Sequence, residues 1–121
     1  MNDLVTESLE SLNRSTFRSR FRLGEKDITY IENKGLDTIR RHAVDFITER
    51  IAPPFPENDG KQTPMKNHPV FTAQHSTASC CRGCISKWHK IPKGRVLTET
   101  EINFLVDLIM AWIESQIENS A

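Results

Sequence analysis

Apolar positions along this chain recur mostly at helical spacing. Near the C-terminus, Ile102, Leu105, Val106, Ile109, Trp112, Ile113 and Ile117 follow one another at i, i+3 and i+4, the stripe of a buried helix face. Thr98 and Glu101 stand ahead of it as a capping-box pair, and Leu97 can staple against Ile102. The spacing predicts a helix over 98–118. A second stripe, Leu36, Ile39, Ala43, Phe46, Ile47 and Ile51, predicts a helix over 36–51 that Pro53 and Pro54 stop. That helix is the natural partner for the C-terminal one. His42 lies at the margin of its stripe, where a partly buried structural histidine is expected.

Weaker signals fill the first third. Leu4, Val5, Leu9 and Leu12 suggest a short helix over 2–13, and Ile28 and Ile31 suggest another over 25–34, with Gly35 where a helix C-cap belongs. Val70, Phe71 and Ala73 sit in a window too short to distinguish a strand from a helical turn. The expected fold is therefore mostly α: a small helical domain with a long Pro-rich loop and a Cys/His-bearing loop-helix segment, packed on a long C-terminal helix. One domain of residues 1–121 is expected, made of an N-terminal helix and basic arm over 1–24, a helical pair over 25–52, the loop and Cys/His site over 53–97, and the C-terminal helix over 98–118.

Composition narrows the class. The chain of 121 residues has 16 basic and 16 acidic side chains, so a protein coated all round for polyanion binding is not expected. No apolar run reaches the ~18–20 residues that span a bilayer, and the acidic N-terminus does not resemble a signal peptide, so a cytoplasmic location is the default expectation. An odd cysteine count of three in a reducing compartment argues against a disulfide framework. Charge is segregated: Lys61, Lys66, Arg82, Lys87, Lys90, Lys93 and Arg95 lie between Gly60 and Thr98 without a single acid. Of these, Arg82, Lys87, Lys90 and Arg95 flank the cysteines and are the candidates for holding an anionic ligand or a nucleic acid; the alternative is that they pair with acids of the last helix. In the arm, Arg14, Arg18, Arg20 and Arg22 alternate with Phe17 and Phe21. The expectation there is phenylalanines packed down and arginines in solvent, with phosphate or base contact as the alternative.

The candidate chemistry is concentrated in residues 60–89, which contain all the cysteines and three of the four histidines. Cys81, Cys84 and His89 match the first three positions of a zinc knuckle, but the fourth falls on Gly94, so a knuckle is excluded. If a helix begins near Cys80, then Cys80 and Cys84 share a face instead. The candidate metal ligands are therefore His75, Cys80, Cys81, Cys84 and His89, a nitrogen and sulfur set that suits zinc first and iron second. Two other readings stay open. Cys81 or Cys84 could be a nucleophile with His75 or His89 as base and Gln74 as an orienting group, or the cysteines could simply be core residues beside Trp88. No βαβ pattern precedes the cysteines, which argues against a thioredoxin-type fold.

The blocks HPVF (68–71), AQH (73–75), CCRGC (80–84) and KWH-x-IPKGR (87–95), with GKQTPM and LDTIRRHAVDFI upstream, resemble a family of small bacterial proteins known as a domain of unknown function. The resemblance runs from about Phe17 to Ile117 and departs from the pattern at none of His68, His75, Cys80, Cys81, Cys84, Trp88 and His89. It implies a bacterial or phage-borne cytoplasmic protein and carries over no activity. It places the family signature on the same cysteine-bearing stretch.

Overall fold

A computed structural model describes residues 3–120. The fold is a small helical domain, with no strand among the described residues: α1 (Asp3–Asn13), α2 (Thr16–Ser19), α3 (Glu25–Lys34), α4 (Leu36–Phe46, continued by a π-helical turn Ile47–Ile51), α5 (Pro69–Ser76), α6 (Arg82–His89) and the long C-terminal α7 (Glu99–Ser120).

The start of α7 is the capping box its sequence predicts. Glu101 N–H donates to Thr98 Oγ1 at 3.1 Å and Thr98 N–H donates to Glu101 Oε1 at 2.9 Å. Leu105, Val106, Ile109, Trp112 and Ile113 are buried as expected, but so is Leu108, on another face. The helix is covered from several sides: it packs on α1, α4, the π-turn and α5, so α4 is one partner among several. Leu108 belongs to a second, smaller apolar cluster with Val5, Leu12 and Ala78, against which Cys84 and Trp88 also pack.

In α4, Ile39, Ala43, Ile47 and Ile51 recur every four residues and all are fully buried. In a regular α-helix that spacing drifts by about 40° per step. The last turn opens instead to the π form, with Ala52 N–H donating to Ile47 O at 2.8 Å. Its wider winding reverses the drift and keeps Ile51 on the core face. Gly35, at φ +86°, ends α3 by donating to Ile31 O at 2.7 Å and starts α4 by accepting from Ile39 N–H at 3.1 Å. Ion pairs tie α7 to its neighbours: Arg40 to Asp107 at 2.6 Å, and Arg95 to Glu101 at 2.7 Å.

The undecided window around Val70 resolves into α5, whose every residue from Pro69 to Ser76 is buried. His68 caps it by accepting from Val70 N–H through Nδ1 at 3.0 Å, and Pro69 occupies the first turn, where its missing N–H costs nothing. A helix buried all round has no polar face, which is why its sequence carries no amphipathic period. Its polar side chains are tied to neighbouring segments: Ser76 Oγ donates to Arg18 O at 3.2 Å, Gln74 Nε2 to Ser79 O at 3.1 Å, and the His75 ring reaches Thr63 O and Pro64 O. The arm, the Pro-rich loop and the cysteine turn therefore all converge on α5.

Candidate metal centre

The cysteines lie where the turn after α5 meets α6. That turn is tight: Ala78 adopts φ +57°, Ser79 N–H donates to Gln74 O at 2.8 Å, and Thr77 and Ser79 hydroxyls meet at 3.0 Å. It leads straight to Cys80 and Cys81. Cys81 is the N-cap of α6, and its sulfur accepts from Cys84 N–H at 3.3 Å. The other two N–H groups of the first turn, Arg82 and Gly83, are taken by the Asp59 carboxylate at 2.9 and 3.3 Å. One turn of helix then returns Cys84 to face both preceding cysteines. Cys84 Sγ lies 3.1 Å from Cys81 Sγ and 3.7 Å from Cys80 Sγ, and all three sulfurs fall within 4.8 Å of one another. The two alternative pairings with Cys84 are thus realised together.

Cys80 and Cys81 are buried and Cys84 is partly exposed. The nearest cation is Arg18, from α2. Its Nη2 donates to Cys84 Sγ at 3.1 Å, and its Nη1 to His75 O at 2.6 Å and Cys80 Sγ at 3.7 Å. The expectation for the arm holds for Phe21, packed against the core, and for the exposed Arg14, Arg20 and Arg22, but is reversed at two positions: Arg18 is buried while Phe17 is 43% exposed. The two phenylalanines also meet edge to face, with Phe21 stacked on His75 at 5.9 Å and Arg20 lying over Phe17 at 4.5 Å. An arginine turns inward here because two sulfurs and a helix-end carbonyl accept its donors and favour its positive charge.

The thiols divide unequally. Hydrogen bonds from Cys80 and Cys81, and then the Arg18 guanidinium, hold the Cys84 sulfur far below the usual thiol range against the opposing effect of burial. Cys80 is pushed up, because it donates toward its two neighbours and is buried. Cys81 is also raised: the Cys80 bond favours its thiolate, but its bond to Cys84 and burial outweigh it.

The two histidines lie outside the sulfur group. His75 Nε2 is 3.1 Å from both Thr63 O and Pro64 O, and His89 Nε2 is 2.8 Å from Thr77 O. A ring nitrogen facing carbonyls must carry the proton, so Nδ1 is the only lone pair left on each ring. Among the described residues, neither ring belongs to the group that could hold one ion, which is Cys80, Cys81 and Cys84. The side chain that meets the Cys84 sulfur from outside the cysteine group is Arg18. Gln74 ties the cysteine turn through Ser79 O and leaves its own buried Oε1 without a partner among the described residues.

Of the cations expected to meet an anion, Arg82 must be corrected. It is 1% exposed, and its guanidinium donates to Ile51 O, Ala52 O and Pro53 O and to Pro92 O and Arg95 O, at 2.8–3.4 Å. The open carbonyls at the end of the π-turn need donors, and Arg82 supplies them. Arg95 is held by both Glu101 oxygens, the pairing with the last helix that was the alternative. Lys87 and Lys90 are exposed, Lys90 donating to Lys87 O at 3.1 Å.

Fold and site together define a small helical protein with a three-cysteine cluster that could hold a metal ion. The chain belongs to the family described as Domain of unknown function (DUF4186), whose model matches residues 6–114. No solved structure matches the chain. No helix among the described residues is long and apolar enough to cross a membrane.

Proposed function

We propose that this protein binds one zinc ion through Cys80, Cys81 and Cys84, with the fourth coordination position left for water or an anionic ligand. The observation that carries this reading is the convergence of three sulfurs within 4.8 Å. Thiolates on a tetrahedral zinc, at Zn–S distances of about 2.3 Å, sit about 3.8 Å apart. The 3.7 Å pair already has that spacing, and the 3.1 Å pair needs to open by a fraction of an ångström. A group this compact suits a single ion better than an iron–sulfur cluster, whose thiolates are held on separate irons. All-sulfur ligation by thiolate favours zinc, with iron second. Three protein ligands with one position free is the arrangement of reactive zinc sites, whereas structural sites are closed by four. The partly exposed Cys84 marks the side on which that position faces solvent.

Metal analysis of untagged protein, with cobalt substitution, tests the reading. The expected result is one equivalent of metal and a thiolate-to-cobalt charge-transfer band that Cys84→Ser removes. Less than a tenth of an equivalent in fully folded protein would sink the proposal.

A second reading is favoured by the Arg18–Cys84 contact at 3.1 Å with Cys81 equally close: a reactive Cys84 thiolate with Cys81 as its disulfide partner. It expects Cys84 in metal-free protein to alkylate at pH 6 faster than a thiol of ordinary pKa, about 8.5, allows. A rate no faster than such a thiol excludes it.

A further inference from the structure

Within the N-terminal arm, Leu23 lies in the main core and Phe21 packs against it, whereas the buried residue of α2 is Arg18, at the cysteine site. Helix α2 has only four residues, and Phe17 at its centre is largely outside the core. What holds it down is Arg18: its guanidinium bridges His75 O, Cys80 Sγ and Cys84 Sγ, and its own carbonyl accepts from Ser76 Oγ. Arg18 is thus fixed at both ends to α5 and to the sulfurs, 57 to 66 residues away in sequence.

From this geometry we infer that Arg18 is the outer-sphere partner of the metal thiolates, and that metal loading and docking of α2 are one coupled event. The inference rests on the metal reading above. A divalent ion held by three thiolates carries a net charge of −1, and it sits in a mostly buried site. The Arg18 guanidinium, already aimed at two of the three sulfurs, cancels that charge and orients the Cys84 sulfur. Outer partners of this kind are worth about 10–100-fold in metal affinity. Linkage makes the effect reciprocal: if Arg18 strengthens metal binding, metal strengthens the hold on the arm by the same factor. A docked α2 also carries the Phe17–Phe21–Arg20 cluster into place beside the ligand side of the site. The arm is therefore a metal-dependent part of whatever surface an incoming ligand meets.

Two measurements test this. The first is zinc affinity by competition with a chromophoric chelator for wild type, Arg18→Lys, Arg18→Gln and, as a control, Arg20→Gln. The expected result is one equivalent in all four, with affinity reduced about 10–100-fold in Arg18→Gln, less in Arg18→Lys, and unchanged in Arg20→Gln. The second needs no variant: hydrogen exchange of the wild-type protein with and without zinc. Amides of residues 16–22 should gain protection on loading while the centre of α7 stays unchanged. Arg18→Gln with affinity within about twofold of wild type overturns the inference. So does protection of α2 that is the same in both states, or that changes only in parallel with α7. Wild-type protein that takes up no zinc overturns the metal reading itself, a result distinct from these.

Discussion

At the scale of single residues, hydrogen-bond geometry assigns protons that the sequence leaves open. His68 Nδ1 accepts from Val70 N–H, so His68 carries its proton on Nε2 and donates it to His42 Nδ1 at 3.0 Å. The pair sits among Tyr30, Phe46 and Phe71, with Arg50 over the last two rings. Burial, and then the neighbouring His42, bring the His68 pKa down to about 4 from the ordinary 6.5. The unfolded chain therefore takes up a proton between pH 6.5 and about 4 that the folded chain refuses. Stability from this source is complete above pH 6.5, falls across that window and is flat below it. The full shift corresponds to about 3 kcal/mol, and the partly exposed ring reduces that to about 1–2 kcal/mol. His68→Asn keeps an acceptor for the Val70 amide but removes the titration. Urea unfolding at pH 7.0 and 4.5 should show wild type losing about 1–2 kcal/mol more than His68→Asn, a difference that cancels acid effects elsewhere. Equal losses would mean that His68 is protonated in the folded state.

At the scale of elements, what the sequence revealed depended on whether the causes were local. The α7 cap was legible because Thr98 and Glu101 are three residues apart and satisfy each other. The stripe of α4 was legible, but its π-turn was not, because the turn form answers to the core that Ile51 must reach. Helix α5 gave no period, since burial on every side removes the polar face. Clustering pointed to the three cysteines, yet their true electrostatic partner, Arg18, lies more than sixty residues away and looked like one more surface cation. The same blindness applied to Arg82, read as an anion ligand beside the cysteines and found holding the end of the π-turn to the 92–95 turn. Arg82→Met keeps the apolar stem and removes the guanidinium from five carbonyls, of which Ala52 O retains the Leu97 N–H. Denaturant unfolding should place it about 3–5 kcal/mol below wild type. Thr98→Ala, which removes one cap acceptor, should cost about 1 kcal/mol, and Lys87→Ala less than about 0.5 kcal/mol. A mild Arg82→Met would show that water replaces the guanidinium at these carbonyls.

At the scale of the whole molecule, the division of labour between core and site decides what metal removal does. The main apolar cluster joins α3, α4, the π-turn, α5 and α7 through residues such as Ile31, Ile39, Ile47, Val70 and Ile109, and none of the cysteines belongs to it. Cys84 packs against the smaller cluster of Val5, Leu12, Ala78 and Leu108. A chain of 121 residues with a core of this kind is expected to fold without an ion, unlike a zinc finger, whose metal stands in for the core. An ion held as proposed would then add stability by mass action, about 4 kcal/mol when free metal exceeds its dissociation constant about a thousandfold. For a domain of this size that raises the melting temperature by roughly 10–20 °C. Stripping the metal with a chelator should therefore lower the melting temperature by about that amount while helicity at 25 °C, followed by far-ultraviolet circular dichroism, is retained. Cys84→Ser should melt near the stripped protein and no longer respond to added zinc. Loss of helicity on stripping would make the ion part of the core, and a melting temperature indifferent to zinc in the wild type would leave the three sulfurs as thiols alone.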